Sequence, residues 1–406
     1  MSSAAATAPV LVLLPDSDTA VQSLAGESEP RILGLGLGRR AALAAARVGY
    51  DKVIYLARDR TAPSGIAVVS DWSSIADAMA GEARPLIIAN ARILGEQEWL
   101  SALLGVDVAP GTWAIQSNAI ILVAAASVRD ALAELNAPER TYDLTAARDR
   151  LTRRFGPPSA LPASIDPMVV TTTADIKGAE WRLLRALIKE TDGFMSRHVE
   201  RPISLRIARR LASTNVSPNQ MTFLSAGVGM CAAPFFLSAD WKWQTVGALL
   251  FLLHSILDGC DGELARLKFQ ESRFGGIIDY WGDNVVHIAV FACMAAGWSL
   301  AVSASWPLLL GAAASLGTLA SASLVYWRTM RPKKDSGPLF TSVAADSGQK
   351  LGRMLDAATR RDFIYLVLIF ALFGKSSWFL VLAAVGAPVF FFLLVLLSLR
   401  ERLHAA

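Results

Sequence analysis

The residues best suited to chemistry in this chain are four aspartates in two pairs, Asp258 with Asp261 and Asp279 with Asp283. Residues three or four apart share one face of an α-helix, so each pair forms an acidic ridge. Both pairs adjoin strongly apolar runs, of which the longer covers residues 285–298. A charged residue inside a membrane segment costs roughly 2.5 to 3.5 kcal/mol, so its presence there indicates a function.

Four converging carboxylates need bound protons or cations, because two carboxylates about 4 Å apart repel by about 4 kcal/mol at an effective dielectric near 20. Hard divalent ions prefer oxygen ligands, and a pair of them is the usual clamp for displacement at phosphorus. Histidine and cysteine, which zinc prefers, are not prominent in residues 255–284. The aspartates therefore predict a phosphotransfer site with two Mg²⁺ or Mn²⁺ ions at a membrane surface.

The aspartates belong to a longer pattern, D-x2-D-G-x2-A-R-x8-G-x3-D-x3-D. Its fixed positions are occupied by Asp258, Asp261, Gly262, Ala265, Arg266, Gly275, Asp279 and Asp283. In this pattern the chain, from about residue 181 to its C-terminus, resembles the CDP-alcohol phosphotransferase family of integral membrane enzymes. The resemblance implies transfer of a substituted phosphoryl group from a CDP-alcohol donor to an alcohol acceptor, with release of CMP. It also implies a homodimer in a lipid bilayer.

The resemblance implies a role for each aspartate. Asp258, Asp261 and Asp279 are expected to be metal ligands. Asp283 is expected to contact the second metal ion and to accept the proton of the attacking hydroxyl as general base. A base must lie within hydrogen-bond reach of that proton, and a position one helical turn beyond Asp279 satisfies this condition.

Six residues are expected at the CDP site. They are Asn219, Thr222, Gly262, Ala265, Arg266 and Gly275. Asn219 and Thr222 follow Pro218 in a P-N-x-x-T sequence that resembles the family's signature at the start of its first membrane helix. The glycines and Ala265 are expected to let nucleotide and backbone approach closely, and Arg266 is expected to pair with the diphosphate. Close helix packing is the alternative reason for the glycines, and helix capping is the alternative for Asn219 and Thr222.

Acceptor recognition is assigned to four basic residues near the later apolar runs, Lys333, Lys334, Arg360 and Arg361. Such a set is able to bind a phosphorylated acceptor, for example inositol phosphate. Topology signals combined with contacts to anionic lipid explain the same residues equally well. His254 and His287 lie on apolar segments near the aspartates, where we expect core histidines rather than metal ligands.

The 406-residue chain has room for two or three domains. Apolar residues make up 53% of the sequence, and most of the excess over a soluble protein lies after Asn219. The formal net charge is +4, but basic residues gather beside apolar segments, which indicates a membrane surface and no nucleic-acid partner. The three cysteines lie in or beside apolar runs, where we expect small core hydrophobes.

About six segments are candidates to span the membrane, at residues 221–237, 243–257, 276–298, 306–326, 362–373 and 378–399. The second and fifth are short for a hydrocarbon core of about 30 Å, so they must extend through polar ends or sit low in the membrane. Basic residues concentrate in the loops on one side, which the positive-inside rule makes cytoplasmic. This pattern predicts a multi-pass protein of the inner membrane with both termini and the aspartates on the cytoplasmic side.

Residues 1–176 have the pattern of a cytoplasmic α/β domain with a mostly parallel sheet. We expect its strands at residues 10–14, 53–57, 65–70, 85–89 and 119–125. The segment resembles a nucleotidyltransferase domain, and its fusion to a membrane domain resembles enzymes that make di-inositol phosphate phosphate. Two departures indicate a degenerate domain: no glycine-rich basic loop follows the first strand, and Asn90 stands where a metal-binding aspartate is expected. The start of the chain lacks the basic region of a signal peptide.

Residues 177–218 are predicted to form basic amphipathic helices at the membrane interface, ahead of a membrane domain at residues 219–406. An ordinary connector packed on the soluble domain is the alternative for this linking segment. Two other functions stay open for the whole chain. One is a bifunctional enzyme whose N-terminal domain also makes the CDP-alcohol, and the other is a non-catalytic membrane scaffold or transporter whose aspartates couple ions.

Overall fold

The computed structural model describes residues 8–14, 30–56, 66–79, 84–116, 119–136, 143–189, 192–330 and 363–405. It divides into two compact units, Met1–Leu183 and Leu184–Ala406. The first unit holds the sheet and the second holds the long apolar helices, which confirms the predicted fold class of an α/β domain followed by an all-α membrane domain. The finer domain boundaries at residues 176 and 218 stay a prediction.

The strands of the first unit, in chain order, are β1 (Val10–Leu14), β2 (Arg31–Ile32), β3 (Leu35–Gly36), β4 (Lys52–Leu56), β5 (Ala67–Val69), β6 (Leu86–Asn90), β7 (Trp113–Gln116), β8 (Ile120–Val123) and β9 (Ser159–Ala160). The main sheet has the order β5-β4-β1-β6-β8-β7-β9. β1 pairs in parallel with β4 and β6 and is buried along its whole length, as expected for a central strand with helices on both faces. The five predicted strands correspond to β1, β4, β5, β6 and β8. β7 was not predicted, and its antiparallel pairing with β8 makes this side of the sheet mixed.

The helices of the first unit are α1 (Leu37–Val48), α2 (Trp72–Ala78), α3 (Gln97–Leu104), α4 (Val128–Leu135), α5 (Leu144–Phe155) and α6 (Thr173–Arg185). Local signals explain several of their ends. Asp71 and Asp143 cap α2 and α5 by accepting backbone N–H bonds of 2.8 and 2.7 Å. Gly49 follows α1 with a φ of 105°, a left-handed conformation that favours glycine. A core that includes Trp72 and Leu132 packs α2 and α4 against the sheet.

The helices of the second unit are α7 (Arg201–Ala212), α8 (Pro218–Ala232), α9 (Trp241–Lys268), α10 (Arg273–Val302), α11 (Trp306–Val325), α12 (Phe363–Leu372) and α13 (Ser376–Ala405). A π-helical turn at Ser196–Glu200 leads into α7, a 3₁₀ turn at Ala233–Leu237 extends α8, and a π-helical turn at Tyr326–Met330 follows α11. Ser217 and Gln220 form a reciprocal capping box at the start of α8.

Within the described residues, five helices are long and apolar enough to cross a membrane: Pro218–Leu237, Trp241–Lys268, Arg273–Val302, Trp306–Arg328 and Ser376–Arg400. The short span predicted at residues 243–257 continues through the first aspartate pair to Lys268, which is the first of the two alternatives given for it. The span predicted at residues 362–373 corresponds to α12, of which the structure describes 10 residues, or about 15 Å of helix. This length is below that of a full crossing.

Gly229 lets α8 pack closely against α9 and α10, and this packing positions the site. A Cβ atom at Gly229 of α8 would lie 2.6 Å from Val286 Cγ1 on α10 and 2.9 Å from His254 Cγ on α9. No larger residue fits there without movement of a neighbour. The polar ends of the three helices therefore meet in one place.

Candidate active site

The two aspartate pairs lie on neighbouring helices, with Asp258 and Asp261 on α9 and Asp279 and Asp283 on α10. Asp258, Asp261 and Asp279 each offer one carboxylate oxygen, and these three oxygens lie within 4.8 Å of one another. Asp258 and Asp261 are each only 5% exposed. Helical spacing aligns the members of each pair, and the packing of α8 against both α9 and α10 then brings the two pairs together.

This oxygen cluster fits a hard divalent cation. Its donors are three carboxylates, with no nitrogen or sulfur ligand in the group found among the described residues. Such a donor set suits Mg²⁺ or Mn²⁺ better than zinc. Buried like charges at this separation are also strongly unfavourable without a cation to balance them.

Asp283 lies one helical turn beyond Asp279 and contacts a histidine of α9. Its Oδ1 lies 3.3 Å from His254 Nε2 and 3.9 Å from His287 Nε2. His254 Nδ1 lies 2.9 Å from the carbonyl oxygen of Ser225 on α8, and the histidine is almost completely buried. His254 therefore links α8, α9 and the predicted base. Its apolar surroundings in the sequence indicated a core position and carried no signal for this contact.

Thr222 of α8 donates a hydrogen bond from Oγ1 to Asp261 Oδ2. The same oxygen lies 3.2 Å from the carbonyl oxygen of Pro218. Thr222 is buried, and it also lines the cavity beside the aspartates. Its geometry therefore gives it an orienting contact with a predicted metal ligand, in addition to its predicted place at the CDP site.

A cavity of about 720 Å³ opens beside the aspartates. All six residues predicted for the CDP site line this cavity, together with Asp261, Asp279 and Asp283. The far part of the cavity is apolar, with a lining that includes Phe291, Phe363, Leu366, Phe379 and Leu382. One continuous space thus joins a charged end to an apolar end.

The two motif glycines have different surroundings. A Cβ atom at Gly262 would have only the Arg266 guanidinium nearby, with its nearest nitrogen at 3.6 Å, so the space in front of Gly262 is open. A Cβ atom at Gly275 would lie 2.8 Å from Asn219 Oδ1 and 3.0 Å from Ser272 Oγ. Gly275 is therefore needed for the approach of α8 to the start of α10, whereas Gly262 leaves room in the cavity.

Arg266 supplies positive charge to the polar end of the cavity. Its Nε atom is buried and has no hydrogen-bond partner among the described residues. A buried donor without a partner is costly, and an anionic group in the cavity would satisfy it. The predicted acceptor-binding residues Lys333, Lys334, Arg360 and Arg361 lie outside the described residues, so their role stays a prediction.

A partly buried charged bridge, which no spacing in the sequence indicated, connects α7 to α9. Arg201 donates Nε and Nη2 to the two carboxylate oxygens of Asp192, both at 2.9 Å, and Nη1 to Glu263 Oε1 at 2.7 Å. Ser204 also donates to Glu263 Oε1, at 2.7 Å. Burial alone would raise the pKa of Asp192, but the hydrogen bonds and charge of Arg201 lower it below its ordinary value. Burial likewise would lower the pKa of Arg201, but its bond to Asp192 and the charge of Glu263 raise it.

Comparison with known proteins finds a family model and several relatives that match parts of the chain. Residues 215–347 match the family model described as CDP-alcohol phosphatidyltransferase. Proteins named bifunctional IPC transferase and DIPP synthase are similar to parts of the chain. The one from Thermococcus kodakarensis is 39% identical over 127 residues, which cover 31% of this chain and 28% of that protein. The one from Aquifex aeolicus is 30% identical over 221 residues, which cover 54% of this chain and 47% of that protein.

Among solved structures, that of Mycobacterium tuberculosis phosphatidylinositol phosphate synthase in complex with manganese and citrate is 20% identical to this chain. The alignment covers 47% of this chain and 88% of that one, with a TM-score of 0.32. The chain spans less than half the length of each of the two bifunctional relatives.

Proposed function

We propose that the protein is a membrane enzyme that transfers a substituted phosphoryl group from a CDP-alcohol to an alcohol acceptor, since residues 215–347 match the family model described as CDP-alcohol phosphatidyltransferase. The observation that carries this proposal is the convergence of Asp258, Asp261 and Asp279 within 4.8 Å. Asp261 and Asp279 lie at the charged end of a cavity that Asp283 and Arg266 also line.

The acceptor hydroxyl oxygen attacks the phosphorus that carries the donor alcohol. A new P–O bond forms to the acceptor, the P–O bond to the CMP phosphate breaks, and CMP leaves with that oxygen. Asp283 takes the hydroxyl proton, since it lies in the same cavity one turn beyond Asp279. Arg266 binds the diphosphate through the buried Nε–H that has no partner among the described residues.

Asp258, Asp261 and Asp279 would hold one divalent cation, and Asp283 would contact a second, with Mg²⁺ or Mn²⁺ as the proposed ions. Bound divalent ions would offset phosphate charge and polarise the reacting P–O bonds. Thr222 keeps Asp261 oriented for this role through its hydrogen bond.

The apolar half of the cavity supports a lipid-bearing donor, CDP-diacylglycerol, over CDP-inositol. Aromatic side chains at Phe291, Phe363 and Phe379 line that half, and they would contact hydrocarbon favourably. The acceptor we propose is inositol phosphate, and glycerol phosphate or a serine headgroup is the second choice.

The protein is integral to a membrane, and we propose the cytoplasmic membrane as its location, with both termini and the active site on the cytoplasmic side. The basic loops of the sequence support this orientation. The family resemblance supports a homodimer, which a mass measurement of the detergent-solubilised protein would test.

The test uses the purified full chain with CDP-diacylglycerol, inositol phosphate and Mg²⁺ or Mn²⁺, and measures CMP release. Asp283→Asn is expected to lower the rate by about 10² to 10⁴-fold, because it removes the proton acceptor. Asp240→Asn is the matched control. Asp240 caps the other end of α9 by accepting Lys242 N–H at 2.9 Å, and asparagine caps equally well.

Full CMP release by Asp283→Asn would contradict the proposed base. No CMP release by the wild-type chain with any CDP-alcohol would refute the proposed activity and favour a scaffold or transporter.

For the first unit we propose a nucleotidyltransferase-like fold without activity. Asn90 ends β6, and its side-chain oxygen accepts the backbone N–H of Arg92 at 2.8 Å. The amide thus contributes to a local turn and brings no negative charge for a cation. Pyrophosphate release from CTP and an alcohol phosphate by the full chain would instead establish the bifunctional alternative.

A further inference from the structure

We propose that Lys189 is a further specificity-determining residue, whose ammonium group binds a phosphate oxygen of a substrate at the charged end of the cavity. We propose in addition that the bridge of Asp192, Arg201 and Glu263 is the device that positions it. This inference rests on the proposed function, and it adds a recognition element outside the motif of aspartates and glycines.

Lys189 lines the same cavity as the aspartates, although it lies 72 residues before Asp261 in the sequence. Among the described lining residues, one lysine and one arginine carry positive charge, Lys189 and Arg266. The acidic lining residues are Asp261, Glu271, Asp279 and Asp283. Once divalent cations balance the aspartates, the two basic side chains favour a further anion. The compact ammonium group of lysine is a common phosphate ligand that acts as a point charge.

The backbone of Lys189 is held on both sides. Its N–H donates to Asp192 Oδ2 at 3.0 Å, and its carbonyl oxygen accepts from Arg197 Nη2 at 3.2 Å. An exposed residue in a connecting segment would otherwise sample many conformations, and ordering it would cost conformational entropy on binding. The two hydrogen bonds order the backbone of Lys189 before substrate binds, so binding loses less conformational entropy.

The bridge of Asp192, Arg201 and Glu263 then connects the segment at Lys189 to α9, which carries Asp258 and Asp261. Asp192 accepts the Lys189 N–H and also accepts hydrogen bonds from Nε and Nη2 of Arg201. The third nitrogen of Arg201, Nη1, donates to Glu263. Glu263 is completely buried on α9, two positions after Asp261. The position of Lys189 is therefore set relative to the predicted metal ligands by a chain of charge-assisted hydrogen bonds.

Two phosphate groups are possible ligands of the same chemistry, the diphosphate of the donor and the phosphate monoester of the acceptor. The experiment measures the kinetics of CMP release by the full chain with CDP-diacylglycerol and either myo-inositol phosphate or myo-inositol. It compares Lys189→Gln, Lys189→Arg and the control Arg206→Gln. Arg206 is an exposed basic residue of α7 that does not line the cavity, and it donates to the carbonyl oxygen of Pro202.

Lys189→Gln is expected to raise the KM of the phosphate-bearing substrate about tenfold, with kcat changed less than about twofold, because it removes one charge-assisted hydrogen bond. Lys189→Arg should restore most of the affinity. An increase confined to the KM of myo-inositol phosphate assigns Lys189 to the acceptor. An increase in the KM of CDP-diacylglycerol with either acceptor assigns it to the donor.

The positioning role is tested by Asp192→Asn alone and together with Lys189→Gln. Asp192→Asn should raise the same KM, and the double variant should show no further increase, because both changes remove one function. Additive effects of the two changes would overturn the positioning role. A KM for Lys189→Gln equal to that of Arg206→Gln, in an active enzyme, would overturn the inference, whereas an inactive wild-type chain would instead refute the proposed function.

Discussion

Replacement of Gly262 by alanine separates the two explanations for the motif glycines. The new Cβ would meet only the Arg266 guanidinium, at 3.6 and 4.0 Å, both ordinary contact distances. Alanine in a helix interior is favoured over glycine by about 1 kcal/mol, so the free energy of unfolding should stay the same or rise by up to this amount. The methyl group would occupy cavity space beside Arg266. A shift of the reacting phosphorus by about 1 Å is able to lower the rate by about 10²-fold.

Two measurements on the full chain check this prediction, thermal unfolding in detergent and CMP release. Gly262→Ala should unfold at or above the wild-type temperature while it loses about 10²-fold in rate. Gly297→Ala is the matched control at a packing glycine of α10. Its Cβ would lie 2.8 Å from Leu237 Cα and from the Leu237 carbonyl oxygen, so overpacking should destabilise this variant by about 1 to 3 kcal/mol.

Two results would refute the reasoning about Gly262. A fall in unfolding temperature as large as that of Gly297→Ala would mean that close packing requires the glycine. A wild-type rate in stable Gly262→Ala would mean that no substrate group passes in front of residue 262.

The other predictions concern metal, orientation and acid. Chelation of divalent cations should abolish CMP release, and added Mg²⁺ or Mn²⁺ should restore it. Thr222→Val, which removes the donor to Asp261, should weaken apparent cation affinity by about 10 to 100-fold and leave the rate at saturating cation largely intact. Asp192→Asn should lower the unfolding temperature at pH 7. Because Arg201 lowers the pKa of Asp192, the wild-type bridge contributes fully above the ordinary carboxyl pKa of about 3.9 and is lost as pH falls through the lowered value. The difference in unfolding temperature between wild type and Asp192→Asn should therefore disappear in acid.

Each of these predictions has a contrary outcome. CMP release that persists after thorough chelation would show that the reaction does not require divalent cations. An unchanged cation titration in Thr222→Val would show that its hydroxyl does not orient Asp261. A gap between wild type and Asp192→Asn that stays constant from pH 7 to well below the ordinary carboxyl range would mean that the Asp192 charge does not stabilise the bridge.

The sequence was informative wherever spacing along one element decides the geometry. Asp258 and Asp261 had to share a face of α9, and Asp279 and Asp283 a face of α10, because helical periodicity is a local property. Apolar runs also marked the five long helices, although the run of α9 was shorter than the helix. For the short span at residues 243–257 the sequence left two alternatives, and α9 shows that it continues through its aspartates as far as Lys268.

Tertiary structure decided which of these local features meet. No spacing rule places Thr222 of α8 on Asp261, or His254 beside Asp283, because those contacts depend on how closely Gly229 lets α8 approach its neighbours. Strand β7 was missed because its place in the sheet comes from pairing with β8 rather than from its own four residues. Arg201 and Glu263 are 62 positions apart, and only folding makes them an ion pair. The sequence alone therefore determined the chemical groups and the helices that carry them, whereas helix packing determined their partners, because contacts between distant residues depend on the shape of the whole surrounding surface.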